Sequence, residues 1–140
     1  MRIMGLDVGS KTIGVAVSDP LGWTAQGVTT IRRKNRAADV EALKQLVDRY
    51  GVEEVVVGLP RNMNGTCGPR AAEARAFAAR LKAELGLPVH LYDERLSTVA
   101  ADKILLEADL SRRRRRAVVD QVAASIILQG YLDRRGQNGV

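Results

Sequence analysis

The sequence is poor in the residues that staple a chain, ligate soft metals or stack on bases. Of its 140 residues one is cysteine, Cys67, and one is histidine, His90. A single cysteine excludes an intrachain disulfide and a zinc site built on several thiolates. A lone histidine in a strand pattern reads as structural, so no imidazole cluster is expected. Aromatic residues make up 4% of the chain, and Trp23 and Tyr50 show no interleaved pattern of a base-stacking surface. No stretch approaches the roughly 20 apolar residues that span a bilayer. The opening apolar run is short and interrupted by Asp7, which argues against a signal peptide and for a cytoplasmic setting without a membrane partner. No repeat or linker divides the chain. It reads as one domain over residues 1–134, followed by a disordered tail over 135–140.

What is present points to a polyanion. Hydrophobic residues (46%) and charged residues (27%) are in the proportions of a globular domain. Lys and Arg number 22 against 16 Asp and Glu, a formal net charge of +6. That balance favours nucleic acid as a partner over a membrane surface. Arginine supplies most of the excess, and its planar guanidinium binds phosphate in a bidentate way that lysine cannot match.

Periodicity orders the chain. Strands are expected at Arg2–Val8 and Ile13–Ser18, joined by a Gly-Ser-Lys turn, and at Trp23–Ile31, with a bend or bulge at Gly27. The basic stretch Arg32, Arg33, Lys34, Arg36 reads as an exposed loop. Asn35 or Asp39 then caps a helix over Ala37–Tyr50, which Gly51 ends. Val52–Leu59 holds a continuous valine run, as in a strand buried on both faces. The turn-rich loop Pro60–Gly68 leads to a helix over Ala71–Leu85, with Pro69 suited to its first turn. A fifth strand, Val89–Asp93, precedes a helix capped by Ser97 or Thr98 and running to about Ala108. The five arginines Arg112–Arg116 read equally as a solvated link or a substrate contact. The last helix spans about Ala117–Arg134, and Gly130 within it signals close packing. The order βββ-α-β-α-β-α-α predicts an α/β fold with a mixed five-stranded sheet. Three antiparallel strands are followed by two parallel ones, the first strand is central, and helices cover both faces. That topology matches the ribonuclease H-like fold.

Three acidic positions stand out within it. Asp7 lies near the end of the central strand, Asp93-Glu94 closes the fifth strand, and Asp120 sits one turn into the last helix among apolar neighbours. The parallel strands bring Asp7 and the Asp93-Glu94 pair to the same sheet edge, where ligands collect in open α/β sheets. Adjacent strand residues face opposite sides, so only one of Asp93 and Glu94 joins Asp7, and parity leaves the choice open. Like charges about 4 Å apart repel by roughly 4 kcal/mol at an effective dielectric of 20, so converging carboxylates call for a cation. Oxygen-only ligands point to Mg²⁺ or Mn²⁺, one ion or two, as in metal-assisted phosphodiester cleavage. Arg95 follows directly and is placed to pair with either acid or to reach a phosphate.

The segments GLDVGSKTIGVAVSD, VVVGLPRNMNGTCGPRA, LYDERLSTVAA and VVDQVAASIILQGYLD resemble the YqgF family, whose members are known as pre-16S rRNA nucleases and as Holliday junction resolvases. The resemblance runs from Met1 to about Asp133. It implies a ribonuclease H-like fold, metal-dependent nuclease activity and a role in maturing the 5′ end of small-subunit ribosomal RNA. Carried over by motif, it implies a catalytic and metal-binding triad of Asp7, Glu94 and Asp120, which selects Glu94 over Asp93. It also implies substrate contacts at Lys11, at Asn62, Asn64, Gly65, Thr66 and Arg70 of the loop, and at Arg116, to which the position of Arg95 beside the acids adds a further candidate contact. Cys67 stands where the family usually has an acidic residue, and Arg116 where it commonly has lysine. Alternatives to rRNA maturation are cleavage of branched DNA as a Holliday junction resolvase, which normally requires a dimer, and non-catalytic binding of RNA or a ribosomal small-subunit precursor. The spacing from Asp7 to Asp19 is also similar to the first phosphate motif of the actin and sugar-kinase superfamily. Residue spacing leaves monomer and homodimer equally open.

Overall fold

The computed structural model describes residues 1–60, 68–96 and 112–138. Strand alternation sets the centre of the fold. In β1 (Arg2–Val8), Met4, Leu6 and Val8 enter one hydrophobic cluster and Ile3 enters another, so the strand is buried on both faces. β4 (Val52–Leu59) behaves alike, with Val55, Val57 and Leu59 on one side and Val56 on the other. Strands of this kind belong mid-sheet. With β2 (Thr12–Ser18), β3 (Ala25–Arg32) and β5 (Val89–Asp93), the order across the sheet is β3-β2-β1-β4-β5. The β1–β2 and β2–β3 pairs are antiparallel, and the β1–β4 and β4–β5 pairs are parallel. The expected mixed sheet with β1 at its centre is therefore present.

Helices α1 (Arg36–Tyr50) and α2 (Pro69–Leu85) cover one face through Val40, Leu43, Phe77 and Leu81. Asn35 caps α1 by accepting the Ala38 N–H at 2.8 Å, and Gly51, at φ 64°, ends it in the left-handed conformation that glycine adopts cheaply. Helix α3 (Arg112–Asn138) covers the other face through Ala123, Ala124, Ile127 and Leu128. It lies close to the strands: a Cβ on Gly5 would come within 2.7 Å of the Leu128 Cβ. Gly130 is a close-packing point as its sequence position suggests, because a Cβ there would meet the Tyr92 hydroxyl at 2.5 Å.

Several elements depart from their sequence pattern. β3 begins at Ala25, since the Asp19 carboxylate accepts the N–H groups of Trp23 at 2.7 Å and Thr24 at 2.8 Å and closes a loop there. Such side-chain bonds compete with the ladder. They also hold the Asp19 carboxyl below its ordinary value, the Thr24 N–H contributing most. The bulge near Gly27 is real, as Val15 pairs with Thr29 while Ala16 pairs with Gly27. Arg33 is not part of an exposed loop. Its side chain is 13% exposed, ion-paired to Asp39 and Glu73, and stacked over Phe77. The five-arginine run is helical and not a link, because α3 starts at Arg112, and arginine is a good helix former. The same helix continues to Asn138, through most of the stretch expected to be a disordered tail. The helix expected from Ser97 or Thr98 lies outside the described residues. Among the described residues no helix is long and apolar enough to cross a membrane.

Candidate active site

The site is built on one row of residues across the sheet. Asp7 pairs with Gly14, and Gly14 pairs with Thr30. On the other side, one residue beyond the Leu6–Val57 pair, Gly58 of β4 comes beside Asp7, and Gly58 in turn pairs with Tyr92. Asp7 has the parity of Ile3 and Gly5, so it faces α3, and it is only 6% exposed.

The two flanking glycines explain how other acids reach it. A Cβ on Gly14 would stand 2.0 Å from the Asp120 carbonyl oxygen and 3.1 Å from its Cα, so the backbone of α3 rests on this glycine at Asp120. A Cβ on Gly58 would meet Ile127 Cδ1 at 2.5 Å and the Glu94 carboxyl carbon at 3.4 Å. With strands about 4.8 Å apart, the acids are carried above three adjoining strands on one face. A methyl at Gly14 would displace the Asp120 backbone, and one at Gly58 would displace Ile127 and meet Glu94 in ordinary contact.

Asp120 is further fixed by Thr12, whose Oγ1 donates to Oδ2 at 2.5 Å. A bond to a carboxylate is of the stronger, charge-assisted kind and offsets the cost of its partial burial. Thr12 was not among the residues singled out from the sequence. Its position two residues before Gly14 puts it on the same strand face, and that spacing is the one local signal of its role. Asp93 and Glu94 part company because the strand ends at Asp93 and a 3₁₀ turn, Glu94–Leu96, begins. Arg95 engages the Asp93 carboxylate at 2.7 Å through its guanidinium and at 3.0 Å through its backbone N–H. Glu94 is the acid laid over Gly58.

Beside Asp120 an open groove of about 910 Å³ is lined by Lys11, Thr12, Arg32, Arg70 and Glu73 among others. Lys11 stands on the exposed β1–β2 turn, closed by the Gly9 N–H bonded to the Thr12 carbonyl at 2.9 Å. Arg70 is in the first turn of α2. Arg116 lies one helical turn before Asp120 in α3. Asn62, Asn64, Gly65 and Thr66 lie outside the described residues.

Three carboxylates with no thiolate or imidazole among them are the donor set of a hard divalent cation. Among the described residues no group of three or more His, Cys, Asp or Glu stands close enough to ligate one ion. Asp7, Asp120 and Glu94 share a face and an edge of the sheet.

A mixed sheet in this order, with helices on both faces, defines a ribonuclease H-like fold. The RuvC of T. thermophilus, solved in complex with a Holliday junction substrate, shares the fold at a TM-score of 0.60 and 16% identity, covering 97% of this chain and 96% of that one. The fowlpox virus Holliday junction resolvase does so at a TM-score of 0.55 and 13% identity, covering 96% of this chain and 99% of that one. The chain belongs to the family described as "RuvX: Holliday junction resolvase", whose sequence model matches residues 1–134. A Moorella thermoacetica protein named "Putative pre-16S rRNA nuclease" is 78% identical to it over 140 residues, which cover the whole of both chains.

Proposed function

We propose that this protein is a cytoplasmic nuclease that hydrolyses phosphodiester bonds in maturing the 5′ end of small-subunit ribosomal RNA. In this reading Asp7, Glu94 and Asp120 hold a divalent cation, Mg²⁺ or Mn²⁺. The observation that carries it is the row Gly14–Asp7–Gly58, which brings Asp120 and Glu94 over the strands on either side of a buried acid. A carboxylate buried in a central strand, with two further acids over the neighbouring strands, is costly to keep, and such clusters are a mark of functional sites. The family and the name of the Moorella relative support the choice of nucleic acid and of ribosomal RNA.

A cation at this position would activate water and neutralise charge at the leaving oxygen. The chain's own groups do the rest. Thr12 orients the Asp120 carboxylate. Helix α3 lies over Asp7 and keeps bulk water from it. Lys11 and Arg70 border the groove where phosphates would lie.

The test is cleavage of a 5′-extended 16S precursor with and without Mg²⁺, by the native protein and by Asp7→Asn. Mg²⁺-dependent cleavage that Asp7→Asn loses is the expected outcome; undiminished cleavage by a pure Asp7→Asn preparation would overturn the reading. A second reading, resolution of four-way DNA, is favoured by the description of the family. A four-way junction run beside the precursor separates the two. RNA binding with no cleavage in any metal would leave the protein as a binding factor.

A further inference from the structure

The groove beside Asp120 contains four basic side chains, and they are not equivalent. Arg33 is spent within the protein: its guanidinium bonds Asp39 at 3.2 Å, Glu73 at 2.7 Å and the Gly9 carbonyl at 2.8 Å. Burial alone would lower the Arg33 guanidinium, but Glu73 and Asp39 outweigh it and hold the group above its ordinary value. The same bonds use up Glu73, the acid on the α2 side of the groove. Lys11, Arg32 and Arg70 differ, since among the described residues none of the three enters an ion pair.

Arg32 is the member that neither motif nor spacing singled out as a substrate contact. It is the last residue of β3 and pairs with Thr12, so it shares a sheet face with the threonine that holds Asp120. Paired residues of adjacent strands lie about 5 Å apart, which puts this cation within a side chain's reach of the acid cluster. Lys11 precedes Thr12 in the turn, and Arg70 stands across the groove on α2. The unneutralised charge therefore forms a path from the first turn of α2, over the β1–β2 turn, to the Asp120 end of the site.

We propose that Arg32 is a phosphodiester contact, and that this groove carries the nucleic-acid strand on one side of the scissile bond. Arg32 holds a phosphate near the acids while Lys11 and Arg70 hold phosphates farther along. Arginine suits the position nearest the carboxylates, because its bidentate fork fixes a phosphate oxygen pair where a lysine would only attract it. The proposal rests on the nuclease reading for its meaning, but it makes a binding claim that stands or falls without cleavage.

The experiment measures binding of a fluorescein-labelled 16S-precursor RNA fragment across a KCl series, with full-length protein in the Asp7→Asn background. Arg32→Gln is expected to weaken Kd about 5- to 10-fold and to lower the slope of log K against log salt by about 0.7–0.9. Arg32→Lys should restore the slope but only part of the affinity. Arg49→Gln, which removes an exposed charge at the far end of α1, should change neither by as much. With Asp7 restored, Arg32→Gln should raise KM and leave kcat within about twofold. Unchanged affinity and slope in Arg32→Gln would overturn the proposal. So would an equal loss in Arg49→Gln, which would reduce the effect to net charge, or the absence of any RNA binding. Failure of the nuclease reading shows differently, as no cleavage by native protein with the Arg32 binding difference intact.

Discussion

The α3 face of the sheet buries one carboxylate at each end, Asp7 at the close of β1 and Glu54 near the start of β4, and both are 6% exposed. Their surroundings differ. Glu54 accepts the Tyr131 hydroxyl at 2.7 Å and Arg135 at 2.8 Å, and His90 Nε2 lies 2.7 Å away. His90 also stacks on the Tyr131 ring at a centroid distance of 5.7 Å. Burial, reinforced by the bond to Glu54, pushes the Tyr131 phenol up to about 12. This is a carboxylate supplied with donors, and it fastens the end of α3 to β4 and β5. Asp7 instead is flanked in its row by two glycines, over which stand a second and a third acid. One end of the face is provisioned for stability; under the proposed function the other serves a cation and a substrate. The lone histidine belongs to the first.

The sharpest way to break this contrast is to neutralise each acid in turn. Asp7→Asn should lower cleavage by about 10³-fold or more, the scale of losing a group that acts in the transition state. Its melting temperature should hold or rise. Glu54→Gln should do the reverse: stability falls by about 1.5–3 kcal/mol, as donors to a charged group lose their acceptor, while kcat stays within about twofold. Equal losses of activity in the two variants would erase the distinction.

Next in size is Gly14→Ala. Its Cβ would meet main-chain atoms of Asp120, which cannot swing aside as a side chain would. Denaturant unfolding should show a loss of about 3 kcal/mol. Gly51→Ala, with nothing within 4 Å but a φ of 64°, should cost only about 1 kcal/mol. Thr12→Val sharpens the active end further. Removing the donor to Asp120 should reduce kcat by about 10-fold with a small change in melting temperature, and Thr12→Ser should recover most of it. The smallest effect belongs to the other end. Tyr131 ionises near 10.0 when unfolded and near 12 when folded, so its contribution is complete below pH 10 and is lost as pH rises from 10 towards 12. Tyr131→Phe should flatten stability across that window, as seen by urea unfolding at several pH values.

Much of this was legible in the chain alone. The apolar runs of β1 and β4 carry hydrophobic residues at both parities, so their central placement follows without coordinates. Asn35 and Gly51 bound α1 by chemistry confined to a few residues. Asp7, in the midst of a strand that is apolar at both parities, is conspicuous as soon as that strand is recognised. The rest was hidden for identifiable reasons. Strand parity could not choose between Asp93 and Glu94, because the chain leaves the strand between them. Arg33 sits in a basic run that looks solvated, and only α1 and α2 packing together supplies Asp39 and Glu73 to it. Asp19, an acid with no evident task, turned out to bind the loop that delays β3.

Periodicity, caps and turn formers act over one helical turn or one strand pair, and at that range they were enough for the elements, their order, the class of fold and the preference for a polyanion. The neighbours of Asp7 are another matter. Gly14 and Gly58 mean little until register sets them beside it, and Thr12 meets Asp120 across 108 residues. Which charges cancel one another and which are left for a phosphate is settled by the same long-range placement. Register and helix docking are properties of the whole folded chain, and no local pattern encodes them.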